Sequence, residues 1–164
     1  MPFLADIFSL LPNPLPMSAD HATPSILLVE DDQMDVMNVQ RELRRQNIDV
    51  ALVHARNGRD ALKMLRGEGD EPKIAKPNLV MLDINMPRMN GLELLEILRS
   101  DPDFMDLNVF IMTTSDLDSD RLKAQQLAVS GYIIKPLSFD TFGGENGTSV
   151  DGFSLFLDLL QLKN

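Results

Sequence analysis

The sequence predicts a doubly wound α/β fold, with five parallel strands in one sheet and helices on both faces. Three observations carry this. From Ser25 onward, short apolar runs alternate with segments of helical periodicity, the pattern of a parallel sheet covered by its crossover helices. The strand-like runs are largely apolar along their length, which is the mark of strands buried on both faces. Four of the runs end on polar residues: Glu30-Asp31-Asp32, Asp83, Thr113-Thr114-Ser115 and Lys135-Pro136. Right-handed crossovers bring such ends to one edge of the sheet, where ligands of open α/β folds bind.

The first strand, Ile26-Leu27-Leu28-Val29, begins at about Ser25 and ends near Glu30. A helix is expected over 34–46, with Val36, Val39 and Leu43 on one face and Arg41, Glu42, Arg44 and Arg45 mostly outside. Residues 50–55 read as the second strand. Asn57-Gly58 opens a short helix through Ala61, Leu62 and Leu65, and the polar run 67–72 reads as a loop. The third strand, Asn78-Leu79-Val80-Met81-Leu82, delivers Asp83 to a turn that carries Pro87. A helix over 91–100 follows, bearing Leu92, Leu95 and Leu98. Asp101-Pro102-Asp103 closes it, because proline disfavours helix for the residue before it. Val109-Phe110-Ile111-Met112 makes the fourth strand, and a helix is expected over 119–129. Gly131 opens the fifth strand, Tyr132-Ile133-Ile134. A glycine-rich stretch over 142–152 reads as a long loop or extended turn before a final helix over 153–162.

Composition narrows the function. A chain of 164 residues, 44% hydrophobic and 24% charged, suits one well-cored domain. The formal charge of −10 argues against nucleic acid, whose phosphates demand a basic surface. Cysteine is absent, so no disulfide or thiolate metal site is available, which fits a cytoplasmic setting. No apolar stretch approaches the roughly 20 residues that span a bilayer. Residues 1–24 read as a flexible N-terminal extension ahead of a domain over 25–164. Two alternatives stand beside that reading: a short amphipathic helix with Phe3, Ile7 and Leu11 on one face, or a chain start at Met17.

Acids, a hydroxyl and a lysine gathered at one sheet edge are equipped to hold a divalent cation and to take up a phosphoryl group. Singly, each residue has a blander reading. Asp83 alone would be a turn or cap aspartate; Asp32 is either the cap of the first helix or a third acid of the site. Thr114 is a neighbour lining the site, and His54, within a strand, is a poor phosphorelay histidine. The run 143–147 lacks the lysine and hydroxyl residue of a phosphate-binding P-loop.

The ordered set resembles the response-regulator receiver domain of two-component signalling. The motifs are Ile26-Leu27-Leu28-Val29-Glu30-Asp31, Leu82-Asp83-Ile84-Asn85-Met86-Pro87 with Asn90-Gly91, Thr113-Thr114-Ser115, and Gly131-Tyr132-Ile133-Ile134-Lys135-Pro136. The resemblance covers residues 25–162 and implies the flavodoxin-like form of the fold. It implies that Asp83 is the phosphoacceptor, and that Glu30, Asp31, Asp83 and the backbone carbonyl of Asn85 hold Mg²⁺, with Mn²⁺ as an alternative. Lys135 would pair with phosphoryl oxygens across a cis Lys135–Pro136 peptide that aims it inward, and Gly91 would be structural. Thr113 and Tyr132 would form the switch, while Asn85 and Ser115 would tune phosphoryl lifetime.

The implied role is that of a single-domain, chemotaxis-regulator-like signalling protein rather than an enzyme. A histidine kinase or histidine phosphotransfer protein would phosphorylate it, and it would act on a downstream protein. Two apolar stripes on the last helix, Phe153, Phe156, Leu157 and Leu160 on one side and Leu155, Leu159 and Leu162 on the other, make a homodimer through that helix a candidate. The rivals are a non-phosphorylated adaptor and an aspartate-nucleophile phosphatase of the haloacid-dehalogenase type. The latter is disfavoured: its nucleophile sits at the first strand with a second Asp two positions on, where this chain has Asn85.

Overall fold

The structure, a computed structural model, describes residues 23–114, 118–138, 142–143 and 149–160. Five parallel strands form as expected: β1 Ser25–Val29, β2 Ala51–Ala55, β3 Leu79–Asp83, β4 Val109–Thr113 and β5 Gly131–Ile134. They are arranged β2-β1-β3-β4-β5. Five helices connect or follow them: α1 Gln33–Arg45, α2 Gly58–Arg66, α3 Gly91–Ser100, α4 Asp118–Gln126 and α5 Ser149–Leu159.

The strands are buried on both sides, so alternate residues feed two separate cores. Leu27, Val29, Val80, Leu82, Val109 and Ile111 join the side chains of α2, α3 and α4 on one face. Ile26, Leu28, Leu79, Met81, Phe110 and Met112 join those of α1 and α5 on the other. Chain order along the sheet reverses between β1 and β3, and the crevice beyond their carboxyl ends is where this architecture leaves room for a ligand.

Helix ends follow local chemistry. Asp32 caps α1, and Asn57 caps α2 through the Asp60 amide at 2.9 Å. Asn90 and Glu93 form a reciprocal capping box on α3. Gly67, in the left-handed region at φ 69°, ends α2. Arg99, in the last turn of α3, does more than favour the helix dipole. Its guanidinium donates to the carbonyls of Leu127 and Leu107 at 2.8 Å, Met105 at 3.0 Å and Ala128 at 3.2 Å. It thereby ties α3 to the segments entering β4 and β5.

Three expectations change. Glu42 is buried rather than outside; it accepts from Gln46 at 3.2 Å and Arg45 at 3.4 Å. Within the glycine-rich stretch, Phe142–Gly143 forms a short strand, β6, antiparallel to β5, so the sheet gains a sixth strand at its edge. The last helix begins at Ser149, ahead of the apolar run that marked it in sequence. Phe156 and Leu160 are fully buried, and Phe153, Leu155, Leu157 and Leu159 also pack on the core, so part of the second stripe is used internally. Residues 1–22 of the extension, Ser115, residues 144–148 and Leu162 lie outside the described residues. Among the described residues no helix is long and apolar enough to cross a membrane.

Phe156 meets Phe110 edge to face, with ring centroids 5.7 Å apart. Truncating it leaves a cavity between α5 and the sheet. Phe156→Ala is expected to lower unfolding free energy by about 3–5 kcal/mol in urea titration. Leu122→Ala, at a side chain 59% exposed, should change it by less than about 0.5 kcal/mol.

Candidate functional site

The site lies at the carboxyl ends of β1, β3, β4 and β5. Val29 pairs with Leu82, so Glu30 and Asp83, one step further, arrive side by side. Thr113 and Ile134 pair across β4 and β5, which sets Thr113 beside Lys135; the Lys135 amide donates to the Thr113 carbonyl at 2.8 Å. Glu30, Asp83 and Thr113 are buried, Asp31 and Asn85 exposed. The Lys135–Pro136 peptide is cis.

Local backbone bonds hold the acids in place. The Glu30 amide donates to the Ala55 carbonyl at 3.0 Å, and His54 Nε2–H donates to the Glu30 carbonyl at 2.7 Å. The histidine is therefore a brace on the first strand end. Glu30 Oε1 accepts from the Asp32 amide at 3.0 Å, and Asp83 Oδ1 from the Asn85 amide at 3.1 Å. Asp32 itself turns away to cap α1, accepting from the amides of Met34 at 2.8 Å and Asp35 at 3.4 Å. Between the two roles its sequence allowed, the structure shows the cap.

Lys135 is the positive centre of the site. Its Nζ lies 2.7 Å from Glu30 Oε2, 2.8 Å from Asp35 Oδ2 and 3.2 Å from Asp83 Oδ2. Asp35 was not singled out in the sequence; its one signal is a position one helical turn beyond Asp31. Burial works to lower the Lys135 pKa, but Asp35, Glu30 and Asp83 outweigh it and leave the ammonium more firmly protonated than usual. Burial raises Glu30 from 4.5 to about 8, against the opposing effect of Lys135 and the Asp32 amide.

The acids suit a hard cation. Carboxylate oxygens of Glu30, Asp31 and Asp83 all lie within 4.8 Å of one another. Glu30 Oε2 faces the ammonium at 2.7 Å without hydrogen-bond alignment, so a buried acceptor is left for a further positive partner. An all-oxygen donor set, partly exposed through Asp31, matches what Mg²⁺ or Mn²⁺ requires.

Tyr132 is buried beside α4. Its hydroxyl donates to the Arg121 carbonyl at 2.9 Å, and the Arg121 guanidinium sits 5.6 Å from its ring centre. Gly91 opens α3 directly against the third strand end. Its amide donates to the Ile84 carbonyl at 3.1 Å, and a Cβ there would run into the Asp83 carbonyl oxygen. Of the sequence-predicted site residues, Glu30, Asp31, Asp83 and Lys135 converge; Tyr132 stands off on the α4 side.

Comparison with known proteins gives a consistent result. The family model of the response regulator receiver domain matches residues 26–143. The chain is 34% identical over 119 residues to the response regulator Rcp1 of Synechocystis sp., which covers 71% of this chain and 81% of Rcp1. A two-component response regulator from Legionella pneumophila superposes with TM-score 0.68 at 36% identity, over 84% of this chain and 98% of that one. The Mn²⁺-bound form of Rcp1 superposes with TM-score 0.64 at 29% identity, over 85% of this chain and 91% of that one.

The close approach at Gly91 generates a test. Backbone atoms of Asp83 and Ile84 lie where the added methyl would go, and backbone gives way less easily than a side-chain tip. Gly91→Ala is expected to cost about 1–3 kcal/mol in urea titration, with displaced amide resonances at Asp83 and Ile84. An unchanged midpoint would show that the turn relaxes at no cost.

Proposed function

The chain belongs to the response regulator receiver domain family, and on that premise we propose that it is a response regulator phosphorylated on Asp83. Receiver domains take their phosphoryl groups from histidine kinases. The donor here is such a kinase or a histidine phosphotransfer protein, and a downstream protein reads the phosphorylated state. The observation that carries the reading is the buried Asp83 carboxylate, 3.2 Å from the Lys135 ammonium and clustered with Glu30 and Asp31.

An ionised carboxylate is a nucleophile at neutral pH. Asp83 oxygen attacks phosphorus, the bond from the donor nitrogen breaks, and an acyl phosphate forms. Glu30, Asp31, Asp83 and the backbone carbonyl of Asn85 hold Mg²⁺ or Mn²⁺. When bound, the ion neutralises the charge that accumulates between donor and nucleophile. Lys135, already at the carboxylate, pairs with the phosphoryl oxygens as a point charge. The main-chain fixation of Glu30 and Asp83 supports this role, because neither acid has to reorganise as charge develops.

The switch runs through Thr113 and Tyr132. The Thr113 hydroxyl bonds a phosphoryl oxygen and draws its loop toward the site. Tyr132, now bonded to the Arg121 carbonyl of α4, moves inward, and the α4–β5 surface changes with it. Asn85, exposed two residues beyond Asp83, stands where an attacking water enters and sets phosphoryl lifetime; Ser115 is assigned the same role from its place in the Thr113-Thr114-Ser115 motif alone. Residues 25–164 form the receiver domain and 1–24 an extension; the setting is cytoplasmic, and the last helix offers a homodimer contact. The protein is a phosphoacceptor and not a turnover enzyme.

Intact-mass spectrometry after incubation with acetyl phosphate tests the reading. One added phosphoryl group is expected, lost without Mg²⁺ and lost in Asp83→Asn. No adduct on the folded protein would favour a non-phosphorylated adaptor, and steady hydrolysis of many phosphate esters would favour a phosphatase. In the same assay, Asn85→Ala is expected to change the dephosphorylation rate several-fold more than the phosphorylation rate. Equal changes in both would remove Asn85 from control of lifetime.

A further inference from the structure

Three carboxylates surround Lys135, but they are not equivalent. Glu30 and Asp83 belong to the oxygen cluster that fits a cation; Asp35 does not. Asp35 also differs in setting. Its side chain is 32% exposed, against 0% for Glu30 and 4% for Asp83, while Lys135 itself is only 10% exposed. It approaches from the first turn of α1, across 100 residues of sequence, with its own amide on the Asp32 cap at 3.4 Å.

A divalent cation on Glu30 and Asp83 would engage the same carboxylates that hold the ammonium and would repel it as a like charge. Lys135 then keeps one carboxylate that is its own. We propose that Asp35 is a positioning residue that holds the Lys135 ammonium in the site while a cation occupies the acidic cluster. The inference rests on the phosphoacceptor reading for its consequence, since a held Lys135 is ready for the phosphoryl oxygens. The contact itself does not depend on that reading. A long flexible side chain loses much rotamer freedom when it is fixed. The hydrogen bond to Asp35, at 2.8 Å, fixes Lys135 before the donor arrives.

The test uses the whole chain as wild type, Asp35→Asn and the charge-conserving Asp35→Glu. Lysine-ammonium ¹H–¹⁵N spectra are read with and without saturating Mg²⁺, and Lys135 is assigned by its loss in Lys135→Ala. In Mg²⁺ the Lys135 ammonium should exchange at least about tenfold faster in Asp35→Asn than in wild type, with partial rescue in Asp35→Glu. Without Mg²⁺ the effect should be small, because Glu30 and Asp83 still hold the ammonium; a merely structural contact would show the same change in both conditions. The rate of phosphoryl uptake from acetyl phosphate at saturating Mg²⁺ should fall about 5–10-fold, with donor KM little changed. In a Lys135→Ala background the same substitution should change that rate less than about twofold.

Unchanged ammonium exchange in Mg²⁺ would overturn the proposal, as would equal slowing in the Lys135→Ala background. If the wild type took up no phosphoryl group while its ammonium exchange still depended on Asp35 in Mg²⁺, the positioning role would stand and the phosphoacceptor reading would fall.

Discussion

The contact on which the site depends is the Lys135 ammonium set between Glu30 and Asp83, 2.7 and 3.2 Å from their oxygens. Two buried carboxylates brought side by side by strand register repel each other and lose their hydration. One ammonium, itself nearly buried, opposes both costs, although burial still holds Glu30 above the usual carboxylate range. It still leaves the cluster with more negative than positive charge, because Asp31 and Asp35 are also present. A buried ion pair is poor evidence for stability by itself. Here its value lies in making an otherwise unfavourable arrangement of acids compatible with a closed core, and in leaving a charge deficit that a cation can fill.

The arrangement is delivered by the sheet and trimmed by the loops. Five parallel strands present every carboxyl end on one edge, and the reversal of strand order between β1 and β3 opens the crevice beside Glu30 and Asp83. Short backbone bonds then set each acid: Asp32 and His54 on the first strand end, Asn85 and the Gly91 turn on the third. Away from the site, Arg99 joins α3 to the segments that lead into β4 and β5. The α4–β5 region that Tyr132 and Arg121 share is thus anchored at one end, next to residues that the proposed switch would move.

Much of this was legible in the residues. The strands were visible because parallel strands buried on both faces read as unbroken apolar runs, and their polar ends were visible because each run stops on a charged or hydroxyl residue. Asp83, Glu30 and Lys135 were found that way. Asp35 was not, since an aspartate in the first turn of a helix has an ordinary reading as a dipole partner. Arg99 in a last turn and Glu42 among surface arginines were hidden for the same reason. The short β6 strand was missed because a two-residue pairing at a sheet edge has no periodicity to detect.

The sequence by itself determined the alternation of strands and helices, the strand ends that carry chemistry, the opening of α2 at Asn57-Gly58 and the close of α3 at Asp101-Pro102. These depend on local propensity and on a hydrophobic period that repeats within a few residues. Only the tertiary structure decided which acids share Lys135, that Asp32 serves the helix while Asp35 serves the lysine, and that Tyr132 is tied to α4. Such choices depend on distances between segments up to 100 residues apart, and these exist only once the sheet has set its register.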